Sequence, residues 1–256
     1  MREATSTRVQ PVLSGLKVFK IVNSQFDPIP SLRDVERLVV EGYVLRDHSK
    51  PCKGLEEFQL DKVTHLRVLG APHFPLSAIG LDNVIALDLD HLGSSSDNHI
   101  SLTQRLPNAT LLQSLAMSTR YKSGPKDIDT LLNYPQVSQA LPTIPLLHLS
   151  IPFWPSTSTL STLPPSLRSI SVVREQSGGR DHQEDSVGGE LQDVRMWKDQ
   201  YFPDLKVLRI HVEGSPKSRK KGLVLQVLRD VASITVGFEV WFEEQIDAPL
   251  PGEWIS

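Results

Sequence analysis

Two aspartates and a histidine stand close together in the stretch NVIALDLDHL, residues 83–92, and residues of these types can do chemistry. Asp88 and Asp90 are two residues apart, so on a β-strand they share one face, and His91 follows directly. A carboxylate pair beside an imidazole can bind a metal ion or transfer protons. One strand supplies too few ligands for a metal, however, and no second cluster has a compatible spacing. We therefore interpret this cluster as part of a solvated recognition surface.

Three further histidines, His65, His148 and His211, each stand next to apolar residues in a similar short pattern. If each pattern is a strand, the three histidines lie on the same face of a sheet but never on adjacent strands. The closest pair is then separated by roughly 10 Å, which is too far for two ligands of one metal ion. We predict exposed polar residues here, and no metal or cofactor site.

Cys52, in the stretch SKPCKG, is the only cysteine of the chain. Lys50 and Lys53 beside it would lower the pKa of its thiol, but no partner histidine is identifiable. The sequence also has no G-x-S-x-G motif of the kind that exposes a nucleophilic serine. A single cysteine excludes an intrachain disulfide and a cysteine-rich zinc site. The residues therefore predict a protein that is not an enzyme.

The composition is that of a globular protein and gives no sign of a nucleic-acid or membrane partner. The chain has 256 residues, 39% of them hydrophobic and 22% charged, which is enough to bury a sizeable core. A net charge of −3 does not favour nucleic acid or an anionic membrane as a partner. There is no run of 18 apolar residues, and the chain does not begin with the apolar core of a signal peptide. We expect a cytoplasmic or nuclear protein.

One pattern, apolar-x-x-apolar-x-apolar, recurs nine times and identifies the elements that position these residues. The middle residues of successive copies are 19 to 38 residues apart, about 27 on average. Repeats of this period are typical of solenoid architectures. The nine triads are Leu16-Phe19-Ile21, Val35-Leu38-Val40, Val63-Leu66-Val68, Val84-Leu87-Leu89, Leu112-Leu115-Met117, Ile144-Leu147-Leu149, Leu167-Ile170-Val172, Leu205-Leu208-Ile210 and Val231-Ile234-Val236.

Several copies share a proline lead-in, as in LPNATLLQSL, LPTIPLLHL, LPPSLRSI and FPDLKVLRI. The pattern resembles leucine-rich repeats, and this phrasing resembles the repeat region of fungal F-box/leucine-rich-repeat proteins. The resemblance covers roughly residues 12 to 240. It implies an α/β fold, a solenoid with a curved parallel sheet on its concave face and helices or loops on its convex face. The Asn or Cys that the family places after the strand is replaced in every copy, which predicts an irregular solenoid.

Short strands cannot bury their side chains alone, but stacked parallel strands share one core. The triad residues then point inward, and the residues that alternate with them point to the concave face. The centre of that face is small and polar, with Ser114, Ala116, Ser118, Ser150, Ser169 and Ser171. The candidate binding residues on it are Lys20, Arg37, Glu41, His65, Arg67, Asp88, Asp90, His148, Arg209 and His211.

The repeat-like region is expected to have extensions and insertions. Residues 221–233 and 127–141 have the apolar spacing of helices, and 101–108 is expected to add one helical turn. Residues 214–222 are basic, which fits either a solvated turn before a helix or a nuclear-import or phosphate-binding patch. The predicted organisation is an N-terminal extension (1–11), the repeat-like domain (12–240) with a mobile insertion at about 174–190 and the basic loop at about 214–222, and a C-terminal tail (241–256). This tail is expected to begin with a final strand and to continue as an extended acidic segment.

A curved surface of mixed charge suits a protein or peptide ligand. The resemblance implies the substrate-binding repeat region of an F-box-type ubiquitin-ligase receptor, although no F-box is visible in the sequence. A ligase adaptor would be a partner if such a module lies upstream. Two alternatives remain open: an α/β enzyme, which would have a deep apolar pocket lined by groups of perturbed pKa, and a structural repeat protein without a ligand.

Overall fold

Nine β-strands form the framework of the protein in a computed structural model. The structure describes residues 15–22, 34–41, 60–70, 76, 80–90, 97–118, 125–175, 196–213 and 239–243. The strands are β1 (Val18–Val22), β2 (Arg37–Glu41), β3 (His65–Leu69), β4 (Ala86–Asp90), β5 (Ser114–Ser118), β6 (His148–Ile151), β7 (Ser169–Glu175), β8 (Val207–Glu213) and β9 (Glu239–Glu243).

The nine strands form one open sheet in which each strand lies beside its neighbour in the chain. All eight pairings are parallel. Parallel neighbours need a crossover connection between them, and the intervals between the triads supply its length. The expectation of an α/β fold with short parallel strands in chain order is confirmed.

The register corrects the prediction for the sixth repeat. Leu115 of β5 is paired with Leu149 of β6, so Leu149 is the middle residue of its triad rather than Leu147. Leu146 is fully buried, whereas Leu147 is only half-buried. The triad is therefore Leu146-Leu149-Ile151. In the run IPLLHLSI every second or third residue is apolar, and local spacing alone allows both frames.

The last described strand, β9, begins at Glu239, and Val240 is paired with Leu208 of β8. The ninth predicted triad, around Ile234, lies outside the described residues. β9 ends at Glu243, so it overlaps the final strand that was predicted at the start of residues 241–256.

The same backbone hydrogen bonds recur at the starts of β2 to β8. Two consecutive amides at each strand start donate to one carbonyl of the preceding strand start, as Glu36 and Arg37 do to Lys17 at 2.9 and 3.0 Å. This arrangement makes the repeats structurally equivalent in the described part of the chain. The accepting carbonyls belong to Lys17, Glu36, Thr64, Ile85, Gln113, Leu147 and Arg168.

A second recurring feature is a turn just before the strand. The amide of the first triad residue donates to a carbonyl three residues earlier, as Val63 does to Leu60 and Leu205 to Phe202. The residue that accepts is itself buried, as are Leu60 at 4% and Phe202 at 0% exposure. Each such repeat therefore buries a fourth residue, three positions before the triad. The triad pattern by itself does not include that position.

One apolar core lies between the sheet and the crossover helices. The triad residues of β2 to β7 belong to one buried cluster together with Leu205 and Leu208 of the β8 repeat. The same cluster includes helix residues such as Leu102, Ile128 and Leu160. Burying a leucine of this kind is worth about 1.5–3 kcal/mol. The helices are α1 (Asp97–Arg105), α2 (Pro125–Leu132), α3 (Pro135–Ala140) and α4 (Thr157–Thr162), with shorter helical turns at Leu81–Asn83, Leu106–Asn108, Leu141–Thr143 and Trp197–Tyr201.

The predicted helix at 127–141 is two helices. Its continuous apolar spacing spans a break at Asn133 and Tyr134, where Tyr134 is extended and Pro135 starts α3. A proline has no amide hydrogen for the helix interior but suits the first turn. At 101–108, instead of one turn, α1 begins earlier at Asp97 and continues into a 3-10 turn. The predicted helix at 221–233 lies outside the described residues.

A partly buried polar network joins two crossovers. The hydroxyl of Thr159 in α4 is fully buried and donates to Asp129 Oδ1 of α2 at 2.6 Å. The amide of Asn133 donates to Asp129 and to Thr159. Ser156 caps α4 by accepting the amide of Thr159. Because buried polar groups are costly when unpaired, this network specifies how α2 and α4 pack.

Candidate functional site

The outer face of the sheet is the face opposite the apolar core. We define it by the strand residues that alternate with the buried triad residues. The pairing register aligns these residues in rows that cross the strands. One row contains Val18, Arg37, His65, Ala86, Ser114, His148, Ser169 and Val207, and the next contains Lys20, Val39, Arg67, Asp88, Ala116, Ser150, Ser171 and Arg209.

All ten candidate binding residues lie on strands, at positions that alternate with the core residues. They are distributed over β1 to β4, β6 and β8, and the register places them in the outer-face rows or in the row that follows. His211 is paired with Val173 on β7 and Glu243 on β9. The parallel sheet thus brings residues from distant parts of the sequence onto one surface.

Arg67 and Asp88 form an ion pair in the middle of the outer face. They are register partners on β3 and β4, and Arg67 Nε lies 3.0 Å from Asp88 Oδ2. Only 19% and 15% of the two side chains are exposed. The charges of these two candidate binding residues therefore neutralise each other. The planar guanidinium of Arg67 is well suited to bind a carboxylate.

Lys20 and Glu41 form a second ion pair between β1 and β2, with Nζ and Oε2 3.0 Å apart. It is more open to solvent, since 53% of the lysine and 30% of the glutamate side chain are exposed. Exposed ion pairs contribute little to stability. Both side chains are consequently available to reorient toward a ligand at small cost.

Asp90 has a structural role, which changes its predicted assignment. It is 5% exposed, and its Oδ1 accepts the backbone amide of Gly70 at 2.7 Å. Gly70 has φ of 60°, a conformation that favours glycine, and it ends β3. Asp90 therefore holds the turn after β3, and it is removed from the set of ligand-contacting candidates.

The centre of the outer face is lined by small side chains, as the sequence predicted. Ser169 and Ser171 on β7 are each 7% exposed, and Ala116 on β5 is equally buried. His148 lies between Ser114 and Ser169 in register. The small side chains make this part of the face lower than the regions on either side, where β3 and β8 carry larger side chains.

His65 is oriented by its neighbour in the chain. Its Nδ1 is 2.9 Å from the hydroxyl oxygen of Thr64, and the hydrogen of that hydroxyl is donated to the carbonyl of Glu36 at 3.2 Å. His65 lies beside Arg37 on β2 and Ala86 on β4. The imidazole is half-buried, so the Thr64 contact limits its freedom.

A charged cluster at the strand starts was missed by the sequence analysis. Lys17 bonds to Glu36, and Lys62 lies 2.7 Å from Asp34. The amide of Gly15 donates to Asp34 at 3.2 Å. Opposite charges 19 and 28 residues apart give no local signal; only the equivalence of positions in successive repeats could have indicated these pairs.

The ion pairs shift the pKa values of this cluster. The hydrogen bond from Lys62, together with the amide of Gly15, lowers the pKa of Asp34. The hydrogen bond between Lys17 and Glu36 lowers the pKa of the glutamate and raises that of the lysine. These groups are exposed, and the shifts follow from charge pairing rather than from a desolvated site.

The described residues do not bring together a set of metal ligands: no group of three or more histidine, cysteine or acidic residues among them could hold a metal ion. His91 and Cys52 lie outside the described residues, as do the basic loop 214–222 and most of the insertion at 174–190. Within the described part of the chain no helix has the length and apolar character needed to cross a membrane. The outer face carries paired charges, the imidazoles of His65 and His148, and small side chains at its centre.

Comparison with known proteins adds no relative. No protein-family model matches the chain, and no curated protein matches it either.

Proposed function

We propose that the chain is an irregular leucine-rich-repeat solenoid and that its outer face recognises a protein or peptide. The observation that carries this proposal is the equivalence of successive repeats. Seven strand starts share one hydrogen-bond arrangement, and the register aligns the outer-face residues in continuous rows. Repeat proteins use such extended surfaces for binding.

The chemistry of the outer face supports a polypeptide ligand. Its β1 to β4 part carries the Lys20–Glu41 and Arg67–Asp88 ion pairs, which can be exchanged for pairs with a ligand. The small side chains of Ala116, Ser150 and Ser171 leave room for a chain lying across the strands. Complementary charges mainly supply specificity and association rate.

The proposed specific role is the substrate-binding region of an F-box-type ubiquitin-ligase receptor, and it rests on the sequence resemblance. In that role the ligase chemistry belongs to partners, and this chain positions the substrate. The pKa shifts in the described part of the chain arise from exposed ion pairs. They do not support the alternative of an enzyme.

The test is affinity capture from cell extract with two matched variants. Ser150→Arg adds a bulky charge to the outer face, whereas Gln139→Arg adds the same group to an exposed position of α3. We expect wild type and Q139R to retain the same partner and S150R to lose it, while circular dichroism confirms that all three are folded.

The outcomes separate the hypotheses. Recovery of one partner by all three proteins would remove the outer face as its binding site. Failure to capture any partner would favour a structural repeat protein. Recovery of a ligase adaptor together with the partner would support the F-box-type role.

A further inference from the structure

The residues that directly precede β1 to β8 form a further row along one edge of the outer face, which we call the strand-start margin. The amide of each margin residue donates to the carbonyl of the margin residue before it, so the row is continuous. Its members therefore occupy equivalent positions in successive repeats. They are Lys17, Glu36, Thr64, Ile85, Gln113, Leu147, Arg168 and Lys206.

The charges of this margin are paired at one end and unpaired at the other. At β1 and β2 the neighbours are Lys17 and Glu36, which form an ion pair. At β7 and β8 the neighbours are Arg168 and Lys206, both exposed, and their backbones are joined by a hydrogen bond of 2.8 Å. Within the described part of the chain neither of these two cations forms an ion pair. Like charges on adjacent strands repel each other, and a bound anion would relieve this repulsion.

The described segments around these two cations supply one carboxylate, Asp204, which lies in the turn before β8. It is exposed, and it forms no ion pair with any described residue. It therefore does not neutralise Arg168 or Lys206 in the way that Glu36 neutralises Lys17. A single carboxylate also leaves the two cations with a net positive charge.

The neighbouring rows of the outer face contain no acidic residue on β5 to β8. Arg209 on β8 adds a third cation there. The chain as a whole has a net charge of −3, so a positive region is not a consequence of its composition. The two rows consist on these strands of Ser114, His148, Ser169 and Val207, and of Ala116, Ser150, Ser171 and Arg209.

We propose that the β7–β8 end of the outer face binds an acidic segment of a polypeptide, with aspartate or glutamate carboxylates facing Arg168 and Lys206. This inference rests on the proposed function of the outer face and names the chemistry of its ligand. The small side chains of Ala116, Ser150 and Ser169 beside these cations leave room for a backbone that crosses the strands. Charge complementarity of this kind supplies specificity and a fast association.

A polypeptide fits the outer face better than a nucleic acid does. A nucleic acid has a negative charge at every nucleotide and needs cations along its whole path. The positive region ends toward β4 and β2, where Asp88 and Glu41 contribute carboxylates to the face. A peptide can be acidic over β7 and β8 and have another composition over β1 to β4.

Fluorescence anisotropy with labelled model peptides tests the proposal on the full chain. The probe is a peptide of alternating glutamate and serine, and a peptide of alternating glutamine and serine is its uncharged counterpart. Lys206→Gln should weaken binding of the acidic probe about tenfold or more. Lys17→Gln is the matched control, because it makes the same change at the equivalent position of β1, and it should alter the affinity by less than about twofold. Added salt should weaken the binding by wild type.

Lys206→Glu separates loss of binding from loss of structure. It replaces two neighbouring cations by an Arg–Glu pair equivalent to Lys17–Glu36, so it should abolish binding of the acidic probe. The midpoint of its urea unfolding should stay unchanged or rise. A lower midpoint would contradict the repulsion between Arg168 and Lys206 on which the proposal depends.

Three results would overturn the proposal: equal binding of the acidic and the uncharged probe, equal effects of K206Q and K17Q, or tighter binding of a single-stranded thymidine oligonucleotide than of the acidic probe. Affinity capture with K206E distinguishes this failure from failure of the proposed function. A partner retained by K206E but lost by S150R would exclude the acidic segment and leave recognition by the outer face intact.

Discussion

At the residue scale, candidate binding residues that look alike in the sequence have different structural roles. Asp88 and Asp90 look alike in the sequence, yet Asp88 pairs with Arg67 on the outer face, whereas Asp90 caps the turn at Gly70. Alternation correctly placed both residues on one side of β4. Burial and the Gly70 contact, which depend on the neighbouring strand, separate their roles.

Replacing Asp90 should therefore reduce stability. Asp90→Ala leaves the partly buried amide of Gly70 without its acceptor, which should lower the free energy of unfolding by about 1–3 kcal/mol. Asp82→Ala, at an exposed position of the turn before β4, is the control and should change it by less than about 0.5 kcal/mol. Urea unfolding measures both. Equal losses would show that the Gly70 contact contributes nothing specific.

The Asp34–Lys62 pair predicts a dependence on pH. Because the folded-state pKa of Asp34 is lowered, the pair stabilises the protein above the ordinary pKa of an aspartate, and this stabilisation is lost as pH falls through the lowered value. Lys62→Met should raise the pKa of Asp34 toward its ordinary value, as measured by an NMR titration of the carboxyl group. The difference in stability between wild type and K62M should be small at pH 7 and should vanish once the pH is below the lowered pKa of Asp34. An unchanged pKa in K62M would contradict the assignment.

At the scale of elements, the sixth repeat shows what local spacing leaves undecided. Three of four residues in Leu146-Leu147-His148-Leu149 are leucines, so two frames fit the triad. The partner strand selects one of them, because Leu149 must stand beside Leu115. In the other strands of the described sheet polar residues flank the triad more clearly, and the predicted frame was correct for β2 to β5, β7 and β8.

Substitution of the two adjacent leucines tests the corrected frame. Leu146→Ala removes a fully buried side chain and should cost about 2–5 kcal/mol of unfolding free energy, whereas Leu147→Ala should cost at most about half as much. The two variants have the same change in composition, and chemical denaturation compares them directly. A larger loss of unfolding free energy for L147A than for L146A would support the originally predicted triad, Ile144-Leu147-Leu149.

At the scale of the whole molecule, the strands lie across the sheet in the same order as they occur along the chain. Contacts in such an array form between neighbours, so stability is a sum of repeat and interface contributions. β5 has a strand on either side, whereas β9 is paired with β8 alone among the described strands. The protein should therefore open first at its ends.

Hydrogen exchange measures this gradient. Amides of Ser114–Ser118 in β5 are expected to exchange at least tenfold more slowly than those of Glu239–Glu243 in β9, because opening β5 disrupts two strand interfaces. Mass spectrometry of peptides that cover the two segments provides the comparison. Equal exchange rates would mean that the sheet opens as one cooperative unit.

The sequence by itself determined the type of fold, the triad residues of most strands and the face on which the candidate binding residues lie, because alternation and the apolar triad act over a few neighbouring residues. It could not identify the strand-start ion pairs, the frame of the sixth repeat or the burial of Asp90. Each of these depends on which residue of another strand lies opposite, across 19 or more residues of chain. Only the tertiary structure decides that, because register is set by packing between strands and not by the order of residues within one.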